Sequence, residues 1–413
     1  MLNYTLTWFK GELMRGELLR RTWTYDPTHY VPPRFRRACR YEVFIPEGLA
    51  EFTEPLTSDL AGAVSDAETA IHQLNGRSVP ALAPLARLLL RSESIASSKI
   101  EGMQVDALDL ARSEAKIGRN GKVSTTAREI IANIDAMELA IDHATNTEII
   151  SVENIIDIHR MLMESASNRH VAGVIRTEQN WIGGNDYNPC GADFVPPPPE
   201  EVPRLLADLC VAINEGVLPP IVQAGLIHAQ FETIHPFHDG NGRTGRALIH
   251  VVLRRRGMTP HYVPPISIVL ASNKASYING LTKFREGDTA DWLTTFIAAA
   301  AQSANLAGIY IGEVEMLQRE WKAALLSSAN PRADAVAWKI IEVLPGYPII
   351  SVPIAVAASG RTKAVVGEAM VQLEQAGVLI RASQGAGSRT WEAVGLLNLL
   401  GNFESGVDPR EYG

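Results

Sequence analysis

One twelve-residue run of the sequence concentrates side chains that could act on a phosphate. The run begins at His235, ends at Arg246 and reads HPFHDGNGRTGR. His235 has the side chain that titrates nearest to neutral pH, and it therefore suits a general base. Asp239 offers a hard oxygen ligand for Mg²⁺, and the guanidinium groups of Arg243 and Arg246 match phosphate oxygens. Together these residue types predict attack on a nucleotide phosphate.

Backbone groups of the same run predict an anion cradle. Gly240 and Gly242 flank Asn241, so the chain can turn tightly there and present bare N–H groups. The residues that follow predict a helix at 244–256, and a helix N-terminus favours negative charge. Successive amides at such an end hold phosphates in other proteins.

The residues alone leave two other interpretations open. Most glycine-rich turns before a helix are only turns. A zinc site formed by His228, His235 and His238 is conceivable, but the sequence supplies neither a fourth ligand nor a pair of histidines four apart on a helix.

The run from His235 to Arg246 resembles the motif of the Fic family, HxFx(D/E)GNGRxxR, at every fixed position. The resemblance implies a helical enzyme that transfers AMP from ATP to a Ser, Thr or Tyr hydroxyl of a target protein. His235 would then be the general base, and Asp239 would hold Mg²⁺. The implied ligands of the ATP phosphates are Gly240, Asn241, Gly242, Arg243 and Arg246.

Two further segments resemble parts of this family. Residues 173–177 and 181–184 contain short β-prone pieces between glycines, and we predict that 174–175 and 181–182 pair as a hairpin. The hairpin resembles the family's flap, which binds a target by strand addition. The implied target-docking residues are Trp181, Ile182 and Gly183.

Residues 97–102, SSKIEG, match the family's inhibitory pattern (S/T)xxxE(G/N). Ser97 and Glu101 are four apart and share one helix face. If that helix packs against the phosphate loop, Glu101 can form a forked pair with Arg246 and occupy an arginine that the γ-phosphate needs. We therefore expect autoinhibition within the chain; the alternative is a surface glutamate near a helix end.

Hydrophobic periodicity predicts a mainly α protein, with a helical Fic core, a β-hairpin flap and a C-terminal winged-helix (α+β) domain. The predicted segments are a basic arm at 1–40, an N-terminal helical region with the inhibitory helix at 41–125, a catalytic domain at 126–310 and a winged helix at 325–400. The clearest core helices are predicted at 60–74, 82–101, 125–143, 152–164, 221–231, 244–256 and 290–312.

The winged-helix prediction rests on three helices, at 333–343, 352–358 and 362–375, followed by strands at 378–382 and 390–393. From residue 331 onward there are seven Lys/Arg and eight Asp/Glu, a net charge of -1. A DNA-binding module is usually basic. Packing or pairing of two chains as a homodimer is therefore favoured over DNA binding.

Composition limits the class of protein. The 413 residues carry a net charge of -8, with 46% hydrophobic and 20% charged residues, which excludes disorder or a membrane-embedded protein as the whole answer. The arm at 1–40 has a net charge of +5 and no apolar segment of the secretory type, so we expect a solvated tail, or an arm that touches phosphate. Three scattered cysteines argue against a disulfide framework, and we expect a cytoplasmic protein.

The sequence therefore predicts an autoinhibited protein adenylyltransferase that uses ATP and Mg²⁺. Two alternatives stay open at this point. One is another activity on the same scaffold, namely removal of AMP or transfer of a different nucleotide or phospho-group. The other is a transcriptional regulator that uses the winged helix, with the Fic core as a sensor. The target protein and the hydroxyl that is modified are not encoded in any run.

Overall fold

The computed structural model describes residues 15–28, 30–52, 56–76, 82–105, 107–117, 123–382 and 389–406. The first fourteen residues of the predicted basic arm lie outside these ranges. The described chain is mainly helical, which confirms the predicted class. Its N-terminal and central helices are α1 (Ser58–Asn75), α2 (Leu82–Ile100), α3 (Ala107–Ile117), α4 (Thr125–Thr145), α5 (Val152–Met163), α6 (Val202–Asn214), α7 (Pro220–Ile234), α8 (Asn241–Arg255), α9 (Ile266–Ser272), α10 (Lys274–Arg285) and α11 (Thr289–Ala329).

Helix α11 is the longest helix in the described ranges and packs against α1, α7, α9 and α10. It begins after Asp288, whose side chain accepts from the Asp291 N–H, and ends at Asn330 in the left-handed region. The sequence predicted only its first half, to residue 312. The rest continues as one helix because buried side chains such as Val314, Trp321 and Leu325 keep the apolar stripe going.

Helices α7 and α8 pack directly on one another at the centre of the molecule. Nearly every side chain of α7 is buried, which fits its almost uninterrupted apolar sequence. Helix α8 buries His250, Arg243 and Arg246 as well as its apolar residues. Buried charges of this kind need partners, and those partners define the site described below.

The arm prediction was wrong for its described part. Strands β1 (Gly16–Trp23) and β2 (Cys39–Pro46) form an antiparallel hairpin, with Gly16 opposite Pro46 and Trp23 opposite Cys39. The strands carry charged residues at many positions and are half-exposed, so their hydrophobic alternation is weak. Pairing with each other, and the bond from the Phe44 N–H to the Val195 carbonyl, stabilise them instead.

The cysteine prediction was wrong as well. Cys39, the first residue of β2, forms a disulfide with Cys190, and their Cα atoms are 6.0 Å apart. Spacing along the chain gave no signal, because 151 residues separate the two thiols. The third cysteine, Cys210, is buried and free. The cysteine argument for a reducing compartment therefore loses its support.

The C-terminal part contains α12 (Val336–Val343), β3 (Ile349–Ser351), α13 (Val352–Ser359), α14 (Lys363–Gln375), β4 (Leu379–Arg381), β5 (Thr390–Ala393) and α15 (Leu396–Glu404). Its strands form an antiparallel sheet in the order β3-β5-β4. Helices and strands follow in the predicted sequence, with β3 and α15 as additions that the sequence did not predict. Its identity as a winged helix, and the domain boundaries, stay predictions.

Helix α2 lies between the two parts. It packs against α4, α8 and α9 on the catalytic side, and against α15 and the residues after α12 on the other. No helix in the described ranges is long and apolar enough to cross a membrane.

Candidate active site

His235 occupies a strained backbone position between α7 and α8. It is the residue that ends α7, and it lies in the left-handed region at φ 49° and ψ 60°, which non-glycine residues rarely adopt. Its carbonyl accepts from Nε of Arg176 at 2.8 Å and from Nδ2 of Asn180 at 3.4 Å. Such strain persists only where the surroundings fix it, and it is common at functional sites.

Arg176 is the main support of this turn, and sequence reasoning missed that role. Its side chain is 1% exposed, and its guanidinium also donates to the carbonyls of Ile234 and Pro197. Burial lowers the pKa of Arg176 to about 10. The sequence placed this residue in the flap, and nothing in its spacing pointed to carbonyls 58 residues away.

The loop after His235 is closed by the side chain of Asn241. Its Oδ1 accepts from the Phe237 N–H at 2.9 Å, and its Nδ2 donates to the Phe237 carbonyl at 2.8 Å. Gly240 takes φ +78° and begins α8 with no side-chain cap. The first backbone N–H groups of α8 are therefore open, as a phosphate cradle requires. The side chain of Asn241 holds the loop, so only its backbone could meet a phosphate.

Asp239 lies on the exposed side of this loop. Its Oδ1 accepts from the Gly240 N–H at 2.6 Å, and its Oδ2 accepts from Nδ2 of Asn168 at 2.5 Å. No group of three acidic, His or Cys residues that could hold a metal occurs within the described ranges. A single exposed carboxylate beside a phosphate cradle fits Mg²⁺, which usually takes one or two carboxylates together with substrate phosphates.

His159 of α5 holds the loop in place through ring stacking and hydrogen bonds. Its ring stacks on Phe237, with centroids 3.7 Å apart. Its Nδ1 accepts from the Gly173 N–H, so its Nε2 carries the proton and donates to the Asp239 carbonyl at 2.9 Å. Burial lowers the pKa of His159 to about 4, which keeps this neutral tautomer at physiological pH. No sequence signal linked His159 to the loop.

The two predicted arginines point in different directions. Arg243 is directed towards α4 and α5, where it contacts the Met163 sulfur at 2.9 Å and the amide oxygen of Asn133 at 3.2 Å. Burial lowers its pKa. Arg246 is directed towards α2, and it is 1% exposed.

The structure brings Ser97, Glu101 and Arg246 together, because the helix that carries Ser97 packs against α8. The predicted fork is made with Ser97, however, because Nε of Arg246 donates to the Ser97 hydroxyl and Nη2 donates to the Ser97 carbonyl, both at 2.8 Å. Glu101 takes a single contact, from Nη2 to Oε1 at 2.8 Å. Gly242 permits this approach, because a Cβ there would lie 1.9 Å from Oε1 of Glu101. Glu101 therefore lies over the first turn of α8.

Burial and neighbouring charges shift the pKa values of His235 and of two nearby glutamates. Burial lowers the pKa of His235 to about 4, an effect that Arg176 reinforces and Glu101 opposes. Burial alone would raise the pKa of Glu101, but the charge and hydrogen bond of Arg246 bring it below its usual value. Burial raises the pKa of Glu232, three residues before His235, to about 7. The imidazole is thus neutral near pH 7, the form that a base needs.

The predicted hairpin was wrong in its pairing. Ile175 forms an antiparallel bridge with Phe237 of the loop itself, and Ile182 forms one with Phe194. Residues 174–175 therefore brace the loop, while 181–194 form a separate short flap. Of the predicted docking residues, Trp181 donates to the Asn185 carbonyl, and Ile182 is 37% exposed. Gly183, also exposed, turns the chain at φ +76°.

Family comparisons match two segments of the chain. Residues 149–253 match the profile described as Fic/DOC family. Residues 61–142 match the profile described as Fic/DOC family N-terminal. The first segment contains the whole loop from His235 to Arg246, and the second contains Ser97 and Glu101.

Curated relatives carry related descriptions. A protein adenylyltransferase Fic of Nematostella vectensis is 30% identical over 198 residues, which cover 46% of this chain and 42% of that protein. A probable protein adenylyltransferase of Aquifex aeolicus is 29% identical over 211 residues, covering 48% and 56%. The chain thus spans about half the length of these relatives.

One solved structure is similar over most of both chains. A Fic family protein from Desulfovibrio desulfuricans superimposes with a TM-score of 0.51 at 20% identity, covering 83% of this chain and 98% of that one. The similarity supports the fold.

Proposed function

We propose that this chain is a protein adenylyltransferase, because residues 61–142 and 149–253 match the two profiles of the Fic/DOC family. It would transfer AMP from ATP to a hydroxyl of a target protein. The observation that carries the proposal is the neutral, mostly buried His235 held beside the uncapped N-terminus of α8, with Arg246 on the next turn. A base, an anion cradle and an arginine at one place suit attack on a phosphate.

The reaction assigns one task to each group of the chain. Nε2 of His235 takes the proton of the target hydroxyl, and the freed oxygen attacks the α-phosphorus of ATP. The bond from that phosphorus to the bridging oxygen breaks, and pyrophosphate leaves. The amides of Asn241 and Gly242 would stabilise the charge on the α- and β-phosphates, and the amide of Gly240 would join them when its hydrogen bond to Asp239 is released. Asp239 would hold Mg²⁺, which neutralises phosphate charge when it is bound.

The two arginines differ in how freely their guanidinium groups could bind the phosphates of ATP. Arg243 and Arg246 would bind the β- and γ-phosphates. In the present arrangement Arg246 is committed to Ser97 and Glu101. Glu101 would repel a γ-phosphate and also occupies the space over α8, so we propose that it inhibits the transfer. Displacement of Glu101 would free one hydrogen-bond position of Arg246 for the phosphate, while Ser97 continues to orient the guanidinium.

Target binding is assigned to the flap. Trp181, Ile182 and Gly183 lie on its surface, and an extended target segment could add to it as a strand. We also propose that the protein is cytoplasmic and that its C-terminal part pairs two chains as a homodimer. We do not assign nucleic-acid binding to the C-terminal part, because its net charge of -1 offers no electrostatic attraction to phosphate backbones.

Removal of AMP is the second candidate. Glu101 is close enough to His235 to raise its pKa, and its side chain is 39% exposed. A carboxylate in that position could hold a water for attack on an AMP-modified hydroxyl. This candidate predicts that Glu101 is required for activity, whereas transfer predicts that it is inhibitory.

Differential radiolabelling tests the proposed reaction. The Glu101→Gly protein is incubated with Mg²⁺ and ATP labelled at either the α- or the γ-phosphorus, with and without candidate target protein. Adenylyl transfer predicts protein-bound label from the α-position only. Label from the γ-position would indicate phosphotransfer and contradict the proposal.

A further inference from the structure

Glu232 is a buried carboxylate that the proposed reaction has not used. It lies on the last turn of α7, and its side chain is 12% exposed. Its Oε1 has no hydrogen-bond partner within the described ranges. Burying a carboxylate is costly unless it is paired or carries a functional role. The position of Glu232 three residues before His235 puts the two side chains on the same side of the helix.

The facing atom of His235 is also unpartnered. Nδ1 of His235 lacks a hydrogen-bond partner among the described residues, and it lies 4.0 Å from Oε2 of Glu232. Nδ1 of His235 and Oε2 of Glu232 face one another, and a closure of about 1 Å would bring them to hydrogen-bond distance. Catalytic hydrogen bonds are often longer in the absence of substrate than in the reacting complex.

We propose that Glu232 is a positioning residue, which accepts a hydrogen bond from Nδ1–H of His235 and so directs the lone pair of Nε2 at the target hydroxyl. This inference rests on the proposed function. It extends that function by giving the base its orienting partner, by the same logic that joins a carboxylate to histidine in hydrolase triads. As His235 takes the hydroxyl proton, the ionised Glu232 stabilises the imidazolium that forms. No proton moves to Glu232 in this step.

The surroundings of Glu232 make its ionisation adjustable. Arg246 of α8 faces it and favours the ionised form, while Glu101 of α2 disfavours it. Arg285 of α10 is a further cation beside it, and Tyr277 of the same helix is buried and neutral. The net result is a pKa of about 7 for Glu232. The carboxylate is therefore ionised above neutral pH and becomes neutral below it.

The backbone carbonyl of Glu232 is a second group that could orient the His235 ring. The carbonyl of Glu232 lies close enough to His235 to raise its pKa. Substitution of the side chain leaves that carbonyl in place. Glu232→Gln therefore separates the two explanations, since it removes the charge and keeps the shape.

The test compares kcat and KM for ATP across pH 5–9 in a Glu101→Gly parent, with Glu232→Gln and Glu232→Asp added. We expect Glu232→Gln to lower kcat about a hundredfold, with KM for ATP within about threefold. The parent lacks Glu101, which raises the pKa of Glu232, so it should lose activity as pH falls through a value below 7. This limb should move to still lower pH in Glu232→Gln, because the pKa of His235 is lower than that of Glu232. Glu232→Asp keeps a carboxylate and should restore the limb of the parent. Glu215→Gln, in the exposed loop after α6, is the matched control.

A spectroscopic arm keeps the inference separate from the proposed function. The ¹⁵N shifts of the His235 ring are followed by NMR from pH 5 to 9 in the parent and in Glu232→Gln. A step below pH 7 that disappears in Glu232→Gln supports the coupling even if no AMP transfer is found. Identical ring titrations, or an unchanged kcat and pH profile in Glu232→Gln, would assign the orientation of His235 to the backbone carbonyl and overturn the proposal.

Discussion

Helix α2 makes two buried arginine contacts, on two different faces, and they differ in accessibility. On the catalytic face, Arg246 reaches Glu101, whose side chain is 39% exposed. On the face towards the C-terminal part, Arg91 is itself 1% exposed and lies 3.4 Å from Glu114 and 3.2 Å from Glu404. Those carboxylates are 21% and 12% exposed. Both arginines are equally buried, so the contacts differ in their carboxylates. Glu101 can move into water while Ser97 still binds Arg246, whereas loss of Glu114 and Glu404 would leave the buried Arg91 without these carboxylates, at a large desolvation penalty. We infer that the first contact regulates and the second holds the helix in place.

Loss of the base is the largest expected effect, and it is independent of α2. His235→Ala in a Glu101→Gly parent should lower AMP transfer at least about a thousandfold, because it removes the proposed general base. Affinity for ATP should change little, as measured by calorimetry. Substantial transfer by this double variant would show that the base lies elsewhere.

The contact at Arg91 should show in stability. Arg91→Met removes a buried cation from between two carboxylates, and we expect unfolding free energy to fall by about 3 kcal/mol. Urea denaturation measures the change. Arg112→Met is the matched control, because the ion pair of Arg112 with Asp109 is 3.7 Å long and exposed and should contribute less than about 1 kcal/mol. Equal changes in the two variants would remove the distinction between the faces of α2.

The contact between Glu101 and Arg246 should affect the rate of AMP transfer. Glu101→Gly is expected to raise AMP transfer about 10- to 100-fold, the range typical of a coupling between two sites. Lys99→Gln alters an exposed charge two residues away on the same helix end and should leave the rate as it is. A Glu101→Gly protein that is no faster than the wild type would contradict inhibition by this residue.

A fall in pH should break the contact between Glu101 and Arg246 only well below neutral pH. The folded-state pKa of Glu101 is lowered by Arg246, after opposition from burial, so the ionised contact is present above the ordinary carboxylate pKa. It is lost as pH falls through the lowered value. Binding of an ATP analogue to the wild type should therefore show no step attributable to Glu101 between pH 6 and 8, measured against Glu101→Gly by calorimetry. A step in that range that Glu101→Gly abolishes would contradict the assignment.

The sequence was most informative where function depends on neighbours along the chain. The loop from His235 to Arg246 and the pair Ser97 and Glu101 could be predicted, since turn chemistry and spacing of four residues act locally. The packing of a helix face against a particular partner could only be conjectured. The conjecture that Arg246 pairs with Glu101 was right, but the fork of Arg246 is made with Ser97.

Contacts between distant segments could not be predicted. Arg176 reaches carbonyls 58 and 59 residues away, and Cys39 bonds to Cys190 across 151 residues, without a periodic pattern in either case. The hairpin of β1 and β2 was missed for a related reason. Its strands are half-exposed and highly charged, so their stability comes from pairing and not from a hydrophobic alternation that the sequence displays.

Intact-mass spectrometry of the purified chain after incubation with ATP and Mg²⁺ tests the central claim most directly. The proteins are the wild type, Glu101→Gly, and Glu101→Gly combined with His235→Ala. The account predicts the added mass of one or more AMP groups on Glu101→Gly, little or none on the wild type and none on the double variant. An AMP adduct of equal extent on the double variant, or no adduct on Glu101→Gly with or without candidate targets, would contradict it.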